Sequence, residues 1–284
     1  MKQADEIRRD VSEAYSRAVN AELPPSSSCC GGSHKGVAVQ SAGYSKEELG
    51  ALPAEAVANA FGCGNPLAFG EVRPGDVVVD LGSGAGIDLL IASRKVGPTG
   101  RVIGVDMTED MIAKARENIR AAGLLNVEVR KGIIEALPVD AESVDWVISN
   151  CVINLSPEKP RVFREIARVL RPGGRMLVSD IVVESLPDWV RRDARLYSSC
   201  VAGAISEVEY LNGLGEAGLV EVEVCARHVY DKGQLRAFLT SELPTGEAGA
   251  CGCGGADRDL VDKLAPLVEG KIWSAQFHAR KAKR

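Results

Sequence analysis

The sequence predicts an α/β fold, a doubly wound and mostly parallel sheet, on three observations. Between residues 76 and 183, short β-branched or apolar runs alternate with segments of helical periodicity. The first run, Val77, Val78 and Val79, lacks polar alternation, as expected of a strand buried on both faces. It ends in Asp80 and a turn punctuated by Gly82, Gly84 and Gly86, followed by an apolar helix bearing Ile87, Leu89, Leu90 and Ile91. A second strand, 101–106, also ends in an acid, Asp106. A strand, a glycine turn and a helix N-terminus in succession bring bare backbone close to a ligand's polar groups.

The elements follow in order. Ile7, Val11, Tyr15 and Ala18 form one stripe of an amphipathic helix over residues 1–20. Pro24, Pro25 and three serines break it, and Cys29 and Cys30 sit in a stretch without periodicity, a flexible loop carrying two thiols. Ser45 and Glu48 fit a capping box that opens a helix through about Ala60. That helix stops at a glycine-rich turn, 61–66, with Cys63 at its centre. Strands are expected at 76–81, 101–106, 126–131, 144–150 and 176–183. Between them lie helices at 86–95 and 109–122, the latter ended by Gly123. A third helix is capped by Ser156, has Pro157 at its first position, and turns Val162, Phe163, Ile166, Val169 and Leu170 inward.

After Glu184 the rhythm changes. Residues 186–204 read as a helical insertion with Trp189, Leu196 and Tyr197, and Ser206 and Glu209 form a second capping box for a helix ending at Gly218. Residues 219–230 alternate as an edge strand, 240–256 read as a mobile loop, and an amphipathic segment, 257–279, closes the chain. The regions are therefore 1–66 (helices and a cysteine-bearing loop), 67–184 (the α/β core) and 185–284 (insertion, edge strand and C-terminal region).

A chain of 284 residues, 45% hydrophobic and 26% charged, can bury a full core. Its net charge of −5 predicts no nucleic-acid footprint. No apolar run approaches the roughly 18–20 residues of a membrane span, and no secretory signal is visible, so a cytoplasmic protein without a membrane partner is expected. In a reducing compartment its eight cysteines point to soft-metal binding or catalytic thiols rather than a disulfide framework. The absence of C-x-x-C disfavours a zinc ribbon. Cys225, in the apolar stripe of a strand, reads as a small buried hydrophobe, and His34, His228 and His278 as surface residues.

The glycine turn is spaced G-x-G-x-G behind an acid, with Ile87 where a dinucleotide-binding turn would place its third glycine. It resembles the S-adenosylmethionine loop of class I methyltransferases, and an acid in the place of Asp106, about twenty residues on, can accept from both ribose hydroxyls. Ligands of open α/β sheets sit outside the carboxyl ends of the strands. Cys151 follows Asn150 at such an end, and Cys63 and Cys200 lie on segments able to fold over that edge. Three thiols from separate segments would hold a soft, thiophilic atom.

Together, Gly62-Cys63-Gly64-Asn65-Pro66, the loop 80–88, Val105-Asp106-Met107-Thr108 and Ser149-Asn150-Cys151-Val152-Ile153-Asn154-Leu155 resemble the arsenite S-adenosylmethionine methyltransferases, over residues 5–240. The resemblance implies a seven-stranded-type methyltransferase sheet with an N-terminal thiol-bearing extension and a C-terminal helical/β appendage. It implies methyl transfer from S-adenosylmethionine to As(III) held by Cys63, Cys151 and Cys200, in arsenic detoxification. Cys30 or Cys29 would be the redox partner of Cys63. Asp80 would lie near the methionyl amine, Gly82, Ser83 and Gly84 along the methionine moiety, and Asp106 at the ribose. Met107 would pack on the adenine, Ile134 and Glu135 would meet its edge, and Asn150 would border the sulfonium. The implied partners are arsenite, methylated trivalent arsenicals and a thiol reductant (thioredoxin or glutathione), with the chain a monomer. Cys251 and Cys253 depart from the family pattern and read either as a metalloid-capture arm or as part of a linker. From the residues alone, a methyltransferase of an organic metabolite and a non-enzymatic thiol-based metalloid binder stay open as alternatives.

Overall fold

The computed structural model describes residues 3–20, 44–45, 49–50, 52–53, 56–57, 64–68, 71–193, 196–197, 200–242 and 258–283. Helix α1 (Ala4–Asn20) precedes the core. The core runs β1 (Val77–Leu81), α2 (Ile87–Val96), β2 (Arg101–Asp106), α3 (Glu109–Ala121), β3 (Val127–Lys131) and β4 (Val144–Asn150). It continues with α4 (Lys159–Val169), β5 (Leu170–Val183), α5 (Asp188–Arg192), α6 (Glu207–Glu216) and β6 (Leu219–Val229). The chain ends with α7 (Lys232–Glu242), α8 (Arg258–Val268) and β7 (Ile272–Lys281).

The strands form one seven-stranded sheet in the order β3-β2-β1-β4-β5-β7-β6. Pairing is parallel from β3 to β5, whereas β7 runs antiparallel to both β5 and β6. The central strands are buried along nearly their whole length because helices cover both faces: Val78, Val79 and Leu81 of β1 are fully buried, as are Val144, Val147 and Ile148 of β4. Helix α3 turns Met111, Ile112, Ala115 and Ile119 inward, as its spacing predicts, and Gly123 just past its end adopts φ 65°. The capping box of α6 is complete: Ser206 Oγ accepts from Glu209 N at 3.2 Å and the Glu209 carboxylate accepts from Ser206 N at 2.8 Å. That helix lays Tyr210 flat on Phe277 of β7, ring centroids 4.0 Å apart.

Several local expectations are corrected. Helix α4 begins at Lys159, not at Pro157, because Ser156 Oγ accepts from Glu158 N and donates to Glu135, which makes 156–158 a turn. Strand β5 already begins at Leu170, which pairs with Val144. Arg175 then pairs with Trp146, so a bulge absorbs the intervening residues, with Gly173 at φ 81°. Among the described residues, the insertion 186–204 holds a short helix, α5, and a helical pair at 196–197 before a turn at 200–203. The amphipathic segment 257–279 splits into α8 and β7 around Gly270, at φ 72°. Helix α7 has no counterpart in the sequence reading. His278 lies on β7 with its side chain 18% exposed, not on the surface, and Cys225 is exposed on the edge strand, not buried. The loop assigned to 240–256 falls outside the described residues apart from helical residues at 240–242, and of the helix assigned to 45–60 the described residues are helical at 49–50 and 56–57 but not at 52–53, where the chain bends. Among the described residues no helix is long and apolar enough to cross a membrane.

Candidate active site

Strand β1 delivers Asp80 to the carboxyl edge of the sheet, where the chain turns into α2. Gly82 stands at φ 66°, and a Cβ on it would lie 2.5 Å from Val152, so only glycine fits. The N–H groups of Gly82 and Ser83 donate to Val105 O at 2.8 and 3.1 Å, tying the turn to the end of β2. Asp106 completes the tie by accepting from Gly84 N at 2.9 Å and Thr108 N at 2.8 Å. Burial nevertheless pushes the Asp106 carboxyl up, against the pull of these backbone donors.

Asp80 is pushed well above the usual carboxylate range, first by burial and then by the charges of Asp88 and Asp106. Three buried carboxyls around one cleft favour a cationic guest, whose charge would relieve both the desolvation and the repulsion. Ser83 Oγ is buried in the same turn with no hydrogen-bond partner among the described residues. The acid set, the glycine cradle and this hydroxyl fit a ligand carrying an ammonium and a ribose.

The cleft encloses about 1000 Å³, including solvent at its mouth. Gly82, Ser83, Gly84, Met107, Ile134 and Asn150 line it, as do Glu135 and the three acids. Its remaining wall, which sequence reasoning did not foresee, is α1: Arg8, Val11 and Tyr15 face the cleft. Arg8 donates to Glu135 Oε1 at 3.1 Å and is paired with Glu158, and Ser156 Oγ donates to the same Glu135 oxygen at 2.6 Å. The structure therefore places Glu135 in an ion cluster that fastens α1 over the cleft.

Cys151 lines the cleft directly after β4. Cys200 is 1% exposed, and its Sγ donates to Cys151 O at 2.8 Å, so the structure brings these two cysteines together from segments far apart in sequence. Both adopt left-handed backbone, φ 59° and 62°. Such a conformation costs a residue with a side chain roughly 1–2 kcal/mol and persists where the surroundings impose it. Glu142 and Glu221 share it, in a turn and at the β6 bulge. The imposed packing is visible: a Cβ on Gly203 would lie 2.0 Å from Asn154 O, so the turn after Cys200 rests on the 3-10 turn after Cys151. Cys151 is disulfide-bonded, and neither Cys200 nor Cys225 takes part in a disulfide. Cys29, Cys30, Cys63, Cys251 and Cys253 also lie outside them. Among the described residues no group of three or more His, Cys, Asp or Glu could hold a metal ion.

Behind the cysteines is a buried polar knot absent from the sequence reading. Asn154 Nδ2 donates to Asp180 Oδ1 at 2.8 Å and to Ile181 O at 2.6 Å, and Lys159 Nζ donates to Asn154 O at 3.2 Å. Burial raises Asp180 to about 7 and lowers Lys159 to about 8. A lone acid inside the apolar run of β5 was the available signal.

Residues 73–234 match a family model described as a methyltransferase domain. Over 267 residues the chain is 45% identical to an arsenite methyltransferase of Halobacterium salinarum, covering 94% of this chain and 62% of that protein. An arsenite methyltransferase of Aquipseudomonas alcaligenes is 37% identical over 229 residues, 76% of this chain and 64% of that one. The chain thus spans somewhat under two thirds of the length of these relatives. Among solved structures, an arsenic (III) S-adenosylmethionine methyltransferase from Chlamydomonas reinhardtii superimposes with a TM-score of 0.62 at 31% identity, covering 87% of this chain and 73% of that one.

Proposed function

Because the chain belongs to the family of arsenite S-adenosylmethionine methyltransferases, we propose that it methylates trivalent arsenic held by its own cysteine thiolates. The observation that carries this reading is the meeting of Cys151 and Cys200, from separate segments and on strained backbone, at the edge of an acid-lined cleft. Bound in that cleft, S-adenosylmethionine supplies an electrophilic sulfonium methyl. Asp80 and Asp88 receive its ammonium, Asp106 its ribose hydroxyls, and Met107 and Ile134 pack on its adenine. Helix α1 and Tyr15 shield the cleft from water, which protects an electrophile from hydrolysis.

Arsenite exchanges its hydroxyls for thiolates, so Cys63, Cys151 and Cys200 together give a pyramidal As(III) whose lone pair is the nucleophile. No general base is needed, and the protein contributes approach geometry. Methylation takes arsenic from the trivalent to the pentavalent state. Two electrons from a pair of cysteine thiols return it to As(III), leaving a disulfide that thioredoxin or glutathione reduces. Cys63 with Cys30 or Cys29 is the proposed pair.

Purified protein incubated with arsenite, S-adenosylmethionine, glutathione and a thioredoxin system, followed by chromatographic separation of arsenic species, tests the proposal. Methylated arsenic should form, and Cys151→Ser and Cys200→Ser should each abolish most of it. Full activity in either variant would remove the cysteines from the mechanism.

A further inference from the structure

Asn154, in the 3-10 turn Ile153–Leu155 that follows Cys151, is fully buried and is anchored to the equally buried Asp180 of β5. Asp180 Oδ2 accepts from Asn154 N at 3.2 Å and Asp180 Oδ1 from Asn154 Nδ2 at 2.8 Å, so one carboxylate holds both the backbone and the carboxamide of one residue. The same Nδ2 donates to Ile181 O at 2.6 Å. The carboxylate is itself fixed, accepting from Ile181 N at 3.0 Å and from the Tyr210 hydroxyl at 3.4 Å. Asn154 Oδ1, by contrast, is buried with no hydrogen-bond partner among the described residues. An unmet buried acceptor weakens the fold, so stability alone does not account for a carboxamide here.

What the anchor fixes is the carbonyl of the same residue. Asn154 O accepts from Lys159 Nζ at 3.2 Å, and it also meets Gly203, where a Cβ would lie 2.0 Å from it. Gly203 belongs to a compact turn that begins at Cys200. Cys200 N donates to Tyr197 O at 3.1 Å, Ala202 N to Leu196 O at 2.9 Å and Ala204 N to Val201 O at 3.1 Å. At the start of that turn Cys200 Sγ reaches Cys151 O at 2.8 Å. The two cysteine-bearing turns therefore meet both at the Cys200 thiol and at the carbonyl that Asp180 steadies.

We propose that Asn154 is a positioning residue, locked to Asp180, whose carbonyl is the seat that brings the Cys200 thiol up to Cys151. The inference rests on the reading of these two cysteines as ligands of one arsenic atom. An atom already bound to one thiolate takes a second far more readily when the fold presents it alongside, because the second bond forms without loss of translational freedom. A carboxylate in place of the Asn154 carboxamide would lack the N–H groups that Asp180 and Ile181 O require, and would set a second buried charge against Asp180. Asn154, Asp180 and Gly203 stand outside the cleft walls described above, so the cysteine pair is what the seat serves.

The test titrates arsenite, without S-adenosylmethionine, into the full chain reduced beforehand with a phosphine, and maps by peptide mass spectrometry which cysteines it protects from iodoacetamide. In wild type, Cys151 and Cys200 should become protected together. Gly203→Ala, which wedges a methyl group against Asn154 O, and Asn154→Ala, which releases the turn from Asp180, should each raise the arsenite concentration that half-protects Cys200 about tenfold. Cys200 should then lag behind Cys151. Ile119→Val, a core change in α3 away from these turns, should lower the unfolding midpoint and leave the protection of Cys200 unchanged, which separates positioning from a general loss of stability. Where neither variant folds, Asp180→Asn decides: its carboxamide keeps the shape but offers one acceptor oxygen in place of two, and should raise that concentration about threefold or more. Protection of Cys200 within about twofold of wild type in folded Gly203→Ala or Asn154→Ala, or in Asp180→Asn where it decides, overturns the proposal. Wild-type protein in which arsenite does not protect Cys151 and Cys200 together overturns the arsenic-ligand reading, and the proposal with it.

Discussion

Asp180 shows how a single carboxyl can set the pH response of the molecule. Burial raises it from its ordinary 3.8 to about 7, although Asn154, Ile181 and the Lys159 charge all pull the other way. Between about pH 4 and about pH 7 the folded chain therefore holds a proton that the unfolded chain has released, so this residue's contribution to stability falls as pH rises through that window. Lys159, lowered from 10.5 to about 8, acts in the opposite sense: the unfolded chain binds the extra proton, and stability recovers as pH climbs from about 8 towards 10.5. Denaturation as a function of pH should show wild-type stability falling relative to Asp180→Asn from about pH 4 to about pH 7 and levelling off just above. A pH-independent difference would mean that Asp180 is ionised throughout.

Helix α1 is a structural wall of the cleft as well as an amphipathic surface helix. Four of its residues fasten it: Arg8 to Glu135 and Glu158, Ser12 to Thr108 at 3.2 Å, and Ser16 and Asn20 to Asp110, the latter at 3.0 Å. The Glu135 side chain is only 2% exposed and is paired with Arg8. Removing one partner of such a pair leaves a buried charge unmet and should cost about 1–3 kcal/mol. Arg8→Ala should accordingly lower the unfolding midpoint, and Glu135→Gln added to it should recover part of the loss. Additive losses in the double variant would show that the two side chains are not coupled.

At the scale of the whole molecule, the sheet runs unbroken from β3 to β6 through strands drawn from residues 77–281. Strand β7, near the C-terminus, fills the gap between β5 and the edge, so residues 272–281 complete the core that residues 77–183 begin. Trp146 of β4 and Trp273 of β7 report from different strands of this one sheet. Thermal unfolding followed by tryptophan fluorescence and by far-ultraviolet circular dichroism should therefore coincide in one transition. Two separated transitions would mean that the C-terminal strands melt independently of the parallel core.

The sequence by itself determined the parallel core and the cofactor edge, because these depend on local signals. A β-branched run ending in an acid, glycines at G-x-G-x-G and a capping box such as Ser206 with Glu209 are written within a few residues of where they act. Strands β2 and β4 lie where their apolar runs placed them, and Cys151 stands at the strand end beside the cleft. Tertiary structure alone decided the rest. Residues 272–281 alternate too weakly to announce a strand and become one because β5 and β6 offer hydrogen bonds on both sides. Cys225, in a similar apolar stripe, is exposed because its strand lies at the sheet edge. Glu135 is claimed by Arg8 from a helix at the other end of the core, and Asn150 by a peptide 86 positions away. Pairings over such distances leave no periodicity in the chain, since they are made by packing and not by spacing.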